Sequence, residues 1–353
     1  MATQVERYLD VGGAGTQDGT SLANAYPDWH TALEDIKVDY PNFITSDVYV
    51  TLYCTGGLDS DGGTVALDMT MDSTRYLEVV PYQTADQNFT GIYDDSYYTL
   101  ESTRANDTGV AISGDAYVIF DGIQFSSNNT GSTTYNIILR ATGNSTLLVR
   151  NFRAKFNGVK DSTPPGGDSA DHFIRNNGAD LILGDNGVVE GFYTGIRHNT
   201  SSANFRYTNT LIKDCDFTHT LGSTGRPAII NCILHDNTSV PGTNEWHPTS
   251  DYNSTTDSST PTNFGSNSLT NQSVTFVNEA GGDYRLNASD TDLHSAGIGT
   301  TEPKILSEDI NGVSRGVSTA SMGPYEYVAT SSNLPSYHGA NRGILRGIKR
   351  GVG

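Results

Sequence analysis

Five side chains that can donate or accept protons lie within a short part of the chain: Asp214, Asp216, His219, His235 and Asp236. They follow two similar apolar segments, so the corresponding positions of neighbouring strands would bring them together. Paired carboxylates could hydrolyse a glycosidic bond, or hold a cation beside the base that removes a sugar-ring proton. Asp residues also form chain corners by hydrogen-bonding to their own backbone. We favour corners, because no compact group of acidic and basic residues stands out from its surroundings.

A second, weaker candidate group consists of Asp171, His172 and Arg175. The sequence contains no CxxC pair and no HxxxH spacing, so it predicts no zinc site, and we expect no cofactor. Gly13 and Gly15 lie in a glycine-rich loop, but the βαβ context of a dinucleotide site is missing.

The elements that would position these groups are four related phrases: VIFDGIQF at 118–125, LLVRNFRA at 147–154, LIKDCDF at 211–217 and AIINCIL at 228–234. Each phrase is a short apolar run, a polar or glycine step and a second apolar residue. Alignment places Ile123, Phe152, Cys215 and Cys232 at one position, and the 63-residue gap between the second and third phrases leaves room for two more repeats. Repeats on this scale are typical of solenoids.

We therefore predict an all-β fold, a right-handed parallel β-helix, in which each repeat turns the same corner. An antiparallel sandwich or barrel would also give many short strands. The fixed internal order of the phrase favours the parallel arrangement, and antiparallel pairing of 118–125 with 147–154 would exclude it.

The three cysteines, Cys54, Cys215 and Cys232, are too few for a disulfide framework. Cys215 and Cys232 hold the same place in the aligned phrases and should stack one repeat apart. We expect buried free thiols that pack as small apolar side chains.

The composition excludes several function classes. A net charge of −19 argues against nucleic acid as a partner, since such a surface needs lysine and arginine. No apolar run reaches the about 18 residues of a membrane span. The N-terminal sequence MATQVER lacks the features of a signal peptide, which predicts synthesis in a host cytoplasm without Sec export.

The sequence suggests three parts: an entry loop and capping helix at 1–40, a parallel β-helix at 41–327 and a basic, glycine-rich tail at 328–353. In the first part, Asp28 can cap a helix at 28–37 whose Trp29, Leu33 and Ile36 share one face. This helix would cover the first repeat, because the open end of a solenoid exposes its core.

The two ends of the chain carry a family resemblance. The opening 7–36 contains a tyrosine, an aspartate, a glycine-rich loop and a tryptophan helix, and the closing segments are FVNEAGGDYRL at 276–286, DINGVSR at 309–315 and MGPYEY at 322–327. Together they resemble the right-handed parallel β-helix repeat proteins of the pectate-lyase-like superfamily. Ser321-Met322-Gly323-Pro324 departs from the usual Asp-Ile-Gly-Ala run. The resemblance implies the fold alone, because that superfamily includes lyases, hydrolases, adhesins and viral particle proteins.

Two segments are candidates for recognition. The Ser/Thr/Asn-rich passage at 238–272 contains Trp246, a candidate glycan-binding side chain on a loop. The tail has four basic residues and no acidic one. Its apolar and basic side chains would dock on a partner, since so many glycines make self-ordering costly. The docking candidates are Leu334, Arg342, Ile344, Leu345, Arg346, Ile348, Lys349 and Arg350.

Two functions therefore compete. The first is a non-enzymatic structural or adhesion protein of a bacteriophage virion, such as a decoration, fibre or tailspike-like protein. It would be anchored to capsid or tail proteins through its tail, would bind a host surface glycan, and could be a homo-oligomer without nucleic acid or membrane insertion. The alternative is a glycan-degrading enzyme, either a polysaccharide lyase or a glycoside hydrolase. The missing leader and the basic tail favour the first.

Overall fold

Parallel β-strands dominate this protein. The computed structural model describes residues 2–60, 65–82, 92–103, 107–128, 136–158, 171–198, 204–221, 226–238, 246–257, 263–301 and 305–328. These residues form a 14-stranded sheet and a six-stranded sheet, and every strand pair in both is parallel. Residues 146–150 pair in parallel with 117–121, which excludes the antiparallel alternative for these segments. The prediction of an all-β protein with long parallel sheets is confirmed.

The 14-stranded sheet has two arms that join in two long strands, Thr146–Phe156 and Leu181–Glu190. Arm 1 contains the first halves of these strands and Thr3–Asp10, Val48–Thr55, Leu77–Pro81, Tyr117–Asp121, Asn204–Thr208 and Ala228–Ile230. Arm 2 contains their second halves and Leu58–Asp59, Thr99–Ser102, Gln124–Ser127, Leu211–Lys213, Ile233–His235 and Ser254–Thr255.

The chain visits arm 1, arm 2 and the six-stranded sheet in turn, and then returns to arm 1 beside its previous strand. The strands of the six-stranded sheet are Val65–Leu67, Asp107–Ile112, Asn136–Thr142, His172–Asn177, Thr194–His198 and Phe217–Leu221. Because each strand pairs with its counterpart one cycle later, corresponding residues form columns that run across the strands.

The space between the sheets is filled by apolar side chains. Val50 and Leu52 alternate with outward-facing Tyr49 and Tyr53, as expected for a strand with one buried face. Deeper in the core, the rings of Phe152 and Phe173 stack with centroids 5.2 Å apart. Gly187 lies beside Phe152 in the next strand, and a Cβ at Gly187 would come within 2.1 Å of that ring. Glycine at this position therefore makes room for the aromatic column.

The corner between the arms is a column of residues in the left-handed conformation. Gly122, Asn151, Asn186, Asn209 and Asn231 all have φ between 49° and 80°. Asparagine tolerates this conformation better than most residues. Its amides also link successive strands: the Nδ2 of Asn186 donates to the Oδ1 of Asn151 at 3.2 Å, and that of Asn231 to the Oδ1 of Asn209 at 3.1 Å. The polar step of the repeated phrase is thus a structural corner.

A helix near the N-terminus packs on the core. It spans Trp29–Asp39, and the Asp28 side chain caps it by accepting from the backbone N–H of Thr31 at 2.6 Å. Its Trp29, Leu33 and Ile36 are buried as predicted, and the Trp29 ring lies 5.8 Å from that of Phe120. The other described helices are short: Leu22–Asn24, Phe43–Ser46 and Glu279–Gly281.

The segment from 274 to 327 differs from the parallel strands. It forms two antiparallel pairs, Phe276–Asn278 with Asp283–Leu286 and Gly297–Ile298 with Thr319–Ala320. Its apolar side chains pack on the outer face of arm 2, where they bury Val188, Leu211 and Ile233. We call this segment the cover. The apolar residues of the cover that take part are Val274, Phe276, Tyr284, Leu286, Leu293, Ile310, Met322 and Tyr325.

The predicted alignment of the phrases at 211–217 and 228–234, which matched Cys215 with Cys232, is wrong by five residues. Leu211 pairs with Ile233, so Cys232 lies beside Thr210, while Cys215 lies beside Asn237, whose side chain accepts from the Cys215 N–H at 3.0 Å. The two thiols therefore do not stack. Each cysteine follows a left-handed corner residue, Asp214 or Asn231, but these are different corners with the same local sequence pattern. Cys215 and Cys232 are buried thiols outside any disulfide, as predicted, and Cys54 is buried as well.

The predicted part boundaries at residues 40 and 327 stay predictions. Among the described residues, parallel pairing begins at Thr3, within the predicted entry part, and its last pair between strands is that of Leu234 with Thr255, followed by an isolated parallel bridge of Ser254 with Leu269. No helix among the described residues has the length and hydropathy needed to cross a membrane.

Candidate functional site

Four charged or titratable side chains form a column on arm 2. Lys155 pairs with Glu190, Glu190 with Lys213, and Lys213 with His235, so one such group occupies the same position in four successive strands. Asp214 and Asp236 come next in the chain, and both have left-handed backbones, with φ of 51° and 50°. The Asp214 N–H donates to the His235 carbonyl at 3.1 Å. Three predicted site residues, Asp214, His235 and Asp236, are therefore neighbours.

Glu279 of the cover joins this group, although nothing in the sequence indicated it. The Lys213 Nζ lies 2.6 Å from the Oδ2 of Asp214 and 3.0 Å from the Oε1 of Glu279. The His235 Nε2 lies 3.3 Å from the Oδ2 of Asp236 and 3.3 Å from the same Glu279 oxygen. We call Lys213, Asp214, His235, Asp236 and Glu279 the arm 2 cluster. It connects the sheet to the cover.

Burial and hydrogen bonding act in opposite directions on Lys213. Burial would lower the pKa of this amine, but hydrogen bonds to Asp214 and Glu279 outweigh it and hold the pKa above its usual range. The ammonium also lies 4.9 Å from the ring centre of Tyr284. Lys213 is thus a fixed cation, unsuited to removing a proton near neutral pH.

The cover is held further along the same face by Arg153. This buried guanidinium lies 2.7 Å from the Oε2 of Glu190, donates to the Gly282 carbonyl at 2.9 Å and stacks 4.6 Å from the ring centre of Tyr284. Tyr284 therefore lies between two cations, Arg153 and Lys213. Burial raises its pKa to about 12, and the coulombic effect of Glu190 acts in the same direction.

The other two members of the predicted group are placed differently. The Asp216 N–H donates to the Phe192 carbonyl at 3.2 Å, beyond the corner. His219 belongs to the six-stranded sheet, where it pairs with Ile196, whereas His235 belongs to arm 2. The His219 side chain lies outside the described residues. The five residues therefore do not occupy neighbouring strand positions, as a single shared site would require.

The second predicted group, Asp171, His172 and Arg175, lies at the six-stranded sheet. Asp171 and His172 are fully buried, and His172 begins the strand that contains Arg175. Burial lowers the pKa of His172 well below its usual value, and the charges of Arg197 and Arg175 act in the same direction. Arg140, Arg175 and Arg197 form a column across three strands. His172 is consequently a neutral core residue.

Trp246 is also part of the core, with no exposed surface, and its predicted role in glycan binding stays a prediction. The chain near Trp246 is folded inward: the Asn263 side chain donates to the Trp246 carbonyl at 3.2 Å. The docking candidates of the tail, from Leu334 to Arg350, lie outside the described residues.

Tyrosines form a second candidate surface, on the outer face of arm 1. Tyr49, Tyr76 and Tyr117 occupy one column, with ring centroids 5.4 Å and 6.2 Å apart. Tyr8 and Tyr53 form the other, with centroids 5.4 Å apart, and the Tyr82 ring packs beside them, 6.2 Å from that of Tyr53. All six are half-buried. We call this surface the tyrosine face. Its sequence signal was the alternation of Tyr49, Thr51 and Tyr53 with apolar residues.

Acidic and amide groups lie between the two tyrosine columns. Glu6, Thr51 and Glu78 occupy neighbouring positions across three strands. The Tyr8 hydroxyl donates to the Oε2 of Glu6 at 3.2 Å, and the Tyr49 hydroxyl to the Oε1 of Gln4 at 3.0 Å. The face thus combines ring edges with hydrogen-bonding groups on a rigid sheet.

Comparison of the chain with protein-family models, with curated proteins and with solved structures gives no match. The superfamily resemblance of the end segments rests on their motifs alone.

Proposed function

We propose that this chain is a right-handed parallel β-helix that serves as a structural and adhesion protein. The cyclic passage through arm 1, arm 2 and the six-stranded sheet supports a helical path, since each cycle adds one strand to every sheet. Right-handedness is the strong preference for crossovers between parallel strands. Such a rod needs no single large core and holds its outer faces rigid.

The tyrosine face is the observation that carries the adhesion role. Tyrosine provides a large, rigid contact area with a polar tip, and it loses little entropy on binding. Glu6 and Glu78 can accept hydrogen bonds from hydroxyl groups, while the ring edges contact apolar C–H surface. A sugar chain offers both kinds of group along its length. We therefore assign a surface glycan as the partner of this face.

Binding of the full chain to an array of bacterial surface polysaccharides tests this role. Tyr53→Ala and Tyr76→Ala each remove one ring from a column and should weaken glycan binding about tenfold. Tyr97→Ala is the matched control, because Tyr97 is half-buried but precedes a strand of arm 2. Absence of any glycan binding, or equal losses in all three folded variants, would contradict the assignment.

The charge distribution along the sequence supports a proposal for the particle that contains this protein. A basic tail on a body with excess negative charge favours docking on other proteins, and we propose a bacteriophage virion, with capsid or tail proteins as partners. Deletion of residues 333–353 should leave a folded rod that no longer enters particles. Normal incorporation of the truncated protein would place the anchor elsewhere.

The convergence of acids and a histidine in the arm 2 cluster favours one alternative, a glycan-degrading enzyme. Incubation with the bound polysaccharide distinguishes the two functions, with assays for new reducing ends and for unsaturated uronates. A structural protein gives neither product. Turnover that is abolished by both Asp214→Asn and His235→Gln, in folded variants, would establish the enzyme instead.

A further inference from the structure

We propose that His235, Asp236 and Glu279 bind a zinc ion that ties the cover to arm 2. The inference is independent of the proposed adhesion role, which depends on the tyrosine face. Sequence spacing could not reveal this site, because Glu279 follows His235 by 44 residues and reaches it only through the fold of the cover.

The separations between the three ligand atoms fit tetrahedral zinc. Zinc binds imidazole nitrogen and carboxylate oxygen at about 2.0–2.2 Å, which places tetrahedral ligands about 3.3–3.6 Å apart. The His235 Nε2 is 3.3 Å from the Asp236 Oδ2 and 3.3 Å from the Glu279 Oε1. All three atoms lie within 4.8 Å of one another. An ion can therefore contact all three after small side-chain rotations.

The state of His235 is the second, independent observation. Its side chain is only 6% exposed, and neither ring nitrogen makes a hydrogen bond within the described part of the chain. The ring packs edge-on against Phe276, with centroids 5.1 Å apart, which directs the Nε2 toward the two carboxylates. Buried polar atoms nearly always have partners. A metal bond at Nε2 supplies the missing one.

The charges of the arm 2 cluster complement a divalent cation. Asp214, Asp236 and Glu279 are three carboxylates, and Lys213 is one ammonium, so with a neutral His235 the cluster carries a net charge of −2. One Zn²⁺ cancels this excess. Lys213 already holds the ligand oxygen of Glu279 at 3.0 Å and so acts as an outer group that orients it.

The donor set selects zinc over the more abundant hard cations. Calcium takes six to eight oxygen ligands, and magnesium requires octahedral oxygen coordination. One imidazole and two carboxylates match zinc, with a fourth position left for water. Asp236 and Glu279 are 59% and 40% exposed at their side chains, so the ion can enter from solvent.

Calorimetric titration of the full chain, after removal of metals by a chelator, tests the site. We expect one zinc ion per chain and a thermal transition that rises with zinc until saturation, because a ligand of the folded state stabilises it. Calcium and magnesium should give neither effect. Glu279→Gln replaces one of the ligands and should weaken zinc binding by at least about 100-fold, since the loss of an outer-shell partner alone costs about 10- to 100-fold.

Two control variants separate this site from other zinc ligands. Glu308→Gln changes an exposed carboxylate of the same cover, and His247→Gln changes an exposed imidazole; both should retain zinc. Cobalt(II) should give the intense visible bands of tetrahedral coordination in the unchanged chain and lose them in Glu279→Gln. Failure to bind zinc, or equal affinity of Glu279→Gln and Glu308→Gln, would overturn the proposal. If His235→Gln does not fold, the exposed Glu279 variant still decides the question.

Discussion

The outer faces of the two arms of the 14-stranded sheet differ in solvent exposure. On arm 1, the outer positions hold Tyr49, Tyr53 and Tyr76, which stack on one another and stay half-exposed. On arm 2, the outer positions of later strands hold apolar side chains that are fully buried beneath the cover. Both faces are formed by parallel strands of the same sheet, so the backbone does not explain the difference. The difference therefore lies in the side chains: aromatic rings with polar tips tolerate water, whereas aliphatic side chains require a covering segment.

The two arms also differ in the contacts that their outer side chains make. The cover is fastened by buried cations, Arg153, Lys213 and Arg315, whose partners lie far away in the sequence. The contacts described on the tyrosine face join half-buried side chains, such as the stacking of Tyr8 on Tyr53 and the hydrogen bond from the Tyr49 hydroxyl to Gln4. The tyrosine face therefore leaves ring surface in contact with solvent, whereas the outer face of arm 2 is tied to the cover by buried cations.

The largest expected effect is the loss of a buried cation from the cover. The Arg315 side chain has no exposed surface and donates to the Oδ1 of Asn186 at 3.1 Å and to the Gly323 carbonyl at 3.0 Å. Arg315→Ala removes the donor to Asn186 and Gly323 and the cation beside Glu326, and should cost about 3–5 kcal/mol in the free energy of unfolding. Urea denaturation measures this.

The matched change in the first strand of arm 1 is Arg7→Ala. Arg7 forms a partly exposed ion pair with Asp39 at 2.8 Å, so its loss should cost at most about 1 kcal/mol. Equal destabilisation by the two substitutions would show that the buried Arg315 contributes no more than a partly exposed ion pair.

Apolar truncation should show the same contrast. Ile233 is 1% exposed beneath the cover, and Ile233→Ala should cost about 3 kcal/mol through lost contacts and a cavity. Val80 lies beside Tyr53 on the tyrosine face and is half-buried, so Val80→Ala should cost about 1 kcal/mol or less. Thermal and urea denaturation of both variants compare them. A larger effect at Val80 would show that arm 1 is covered too.

The junction of the arms should respond to pH through Asp185. This carboxyl accepts from the Thr208 hydroxyl, and burial raises its pKa from 3.8 to about 6, although nearby Arg206 and Arg150 oppose the rise. The folded state therefore holds a proton that the unfolded chain releases between pH 3.8 and about 6, so stability falls as pH rises through this window. Above it, the ionised group costs at most about 3 kcal/mol.

Asp185→Asn should consequently match the unchanged protein near pH 4 and exceed its stability above pH 6, as read from unfolding midpoints across pH. The amide keeps an oxygen for the Thr208 hydroxyl. A variant that is less stable at neutral pH would show that the charge of Asp185 supports the fold through its arginine neighbours.

The smallest effect is expected within the tyrosine face. A double-mutant cycle with Tyr49→Ala and Tyr76→Ala should give a coupling of about 1 kcal/mol, because the two rings stack with centroids 5.4 Å apart. Tyr8 paired with Tyr117 in the same kind of cycle should give none, since these residues belong to different columns. Coupling in both cycles would indicate that the substitutions alter the structure of arm 1 as a whole and do not report the stacking of one pair of rings.

Much of the fold could be predicted from local sequence pattern. The alternation around Tyr49, the capping Asp28 and the polar steps at corners such as Asn151 depend on short-range rules, and the structure shows each of them. The register of Cys215 and Cys232 could not be predicted, because two different corners both use a left-handed polar residue. Local pattern does not say which corner a residue occupies.

The candidate site was only partly visible in the sequence. Asp214, His235 and Asp236 follow strands that pair, so their proximity follows from the repeat. Glu279 and Arg315 act on partners 44 and 129 residues away, and no periodicity connects them. Trp246 was predicted on a recognition loop because its neighbours are polar; its large apolar side chain is buried, and its glycan-binding role stays a prediction.

The late position of the cover in the chain also has a consequence for folding order. Its contacts with Asn186 and Arg153 each span more than 120 residues, and such non-local contacts form slowly. During synthesis the parallel strands emerge before the segment that shields Val188, Leu211 and Ile233. We therefore expect a transient species with paired strands and an exposed aliphatic stripe, prone to self-association. Pulsed hydrogen exchange should protect arm 1 amides before those of Asp283–Leu286; simultaneous protection would show that the cover and the strands fold together.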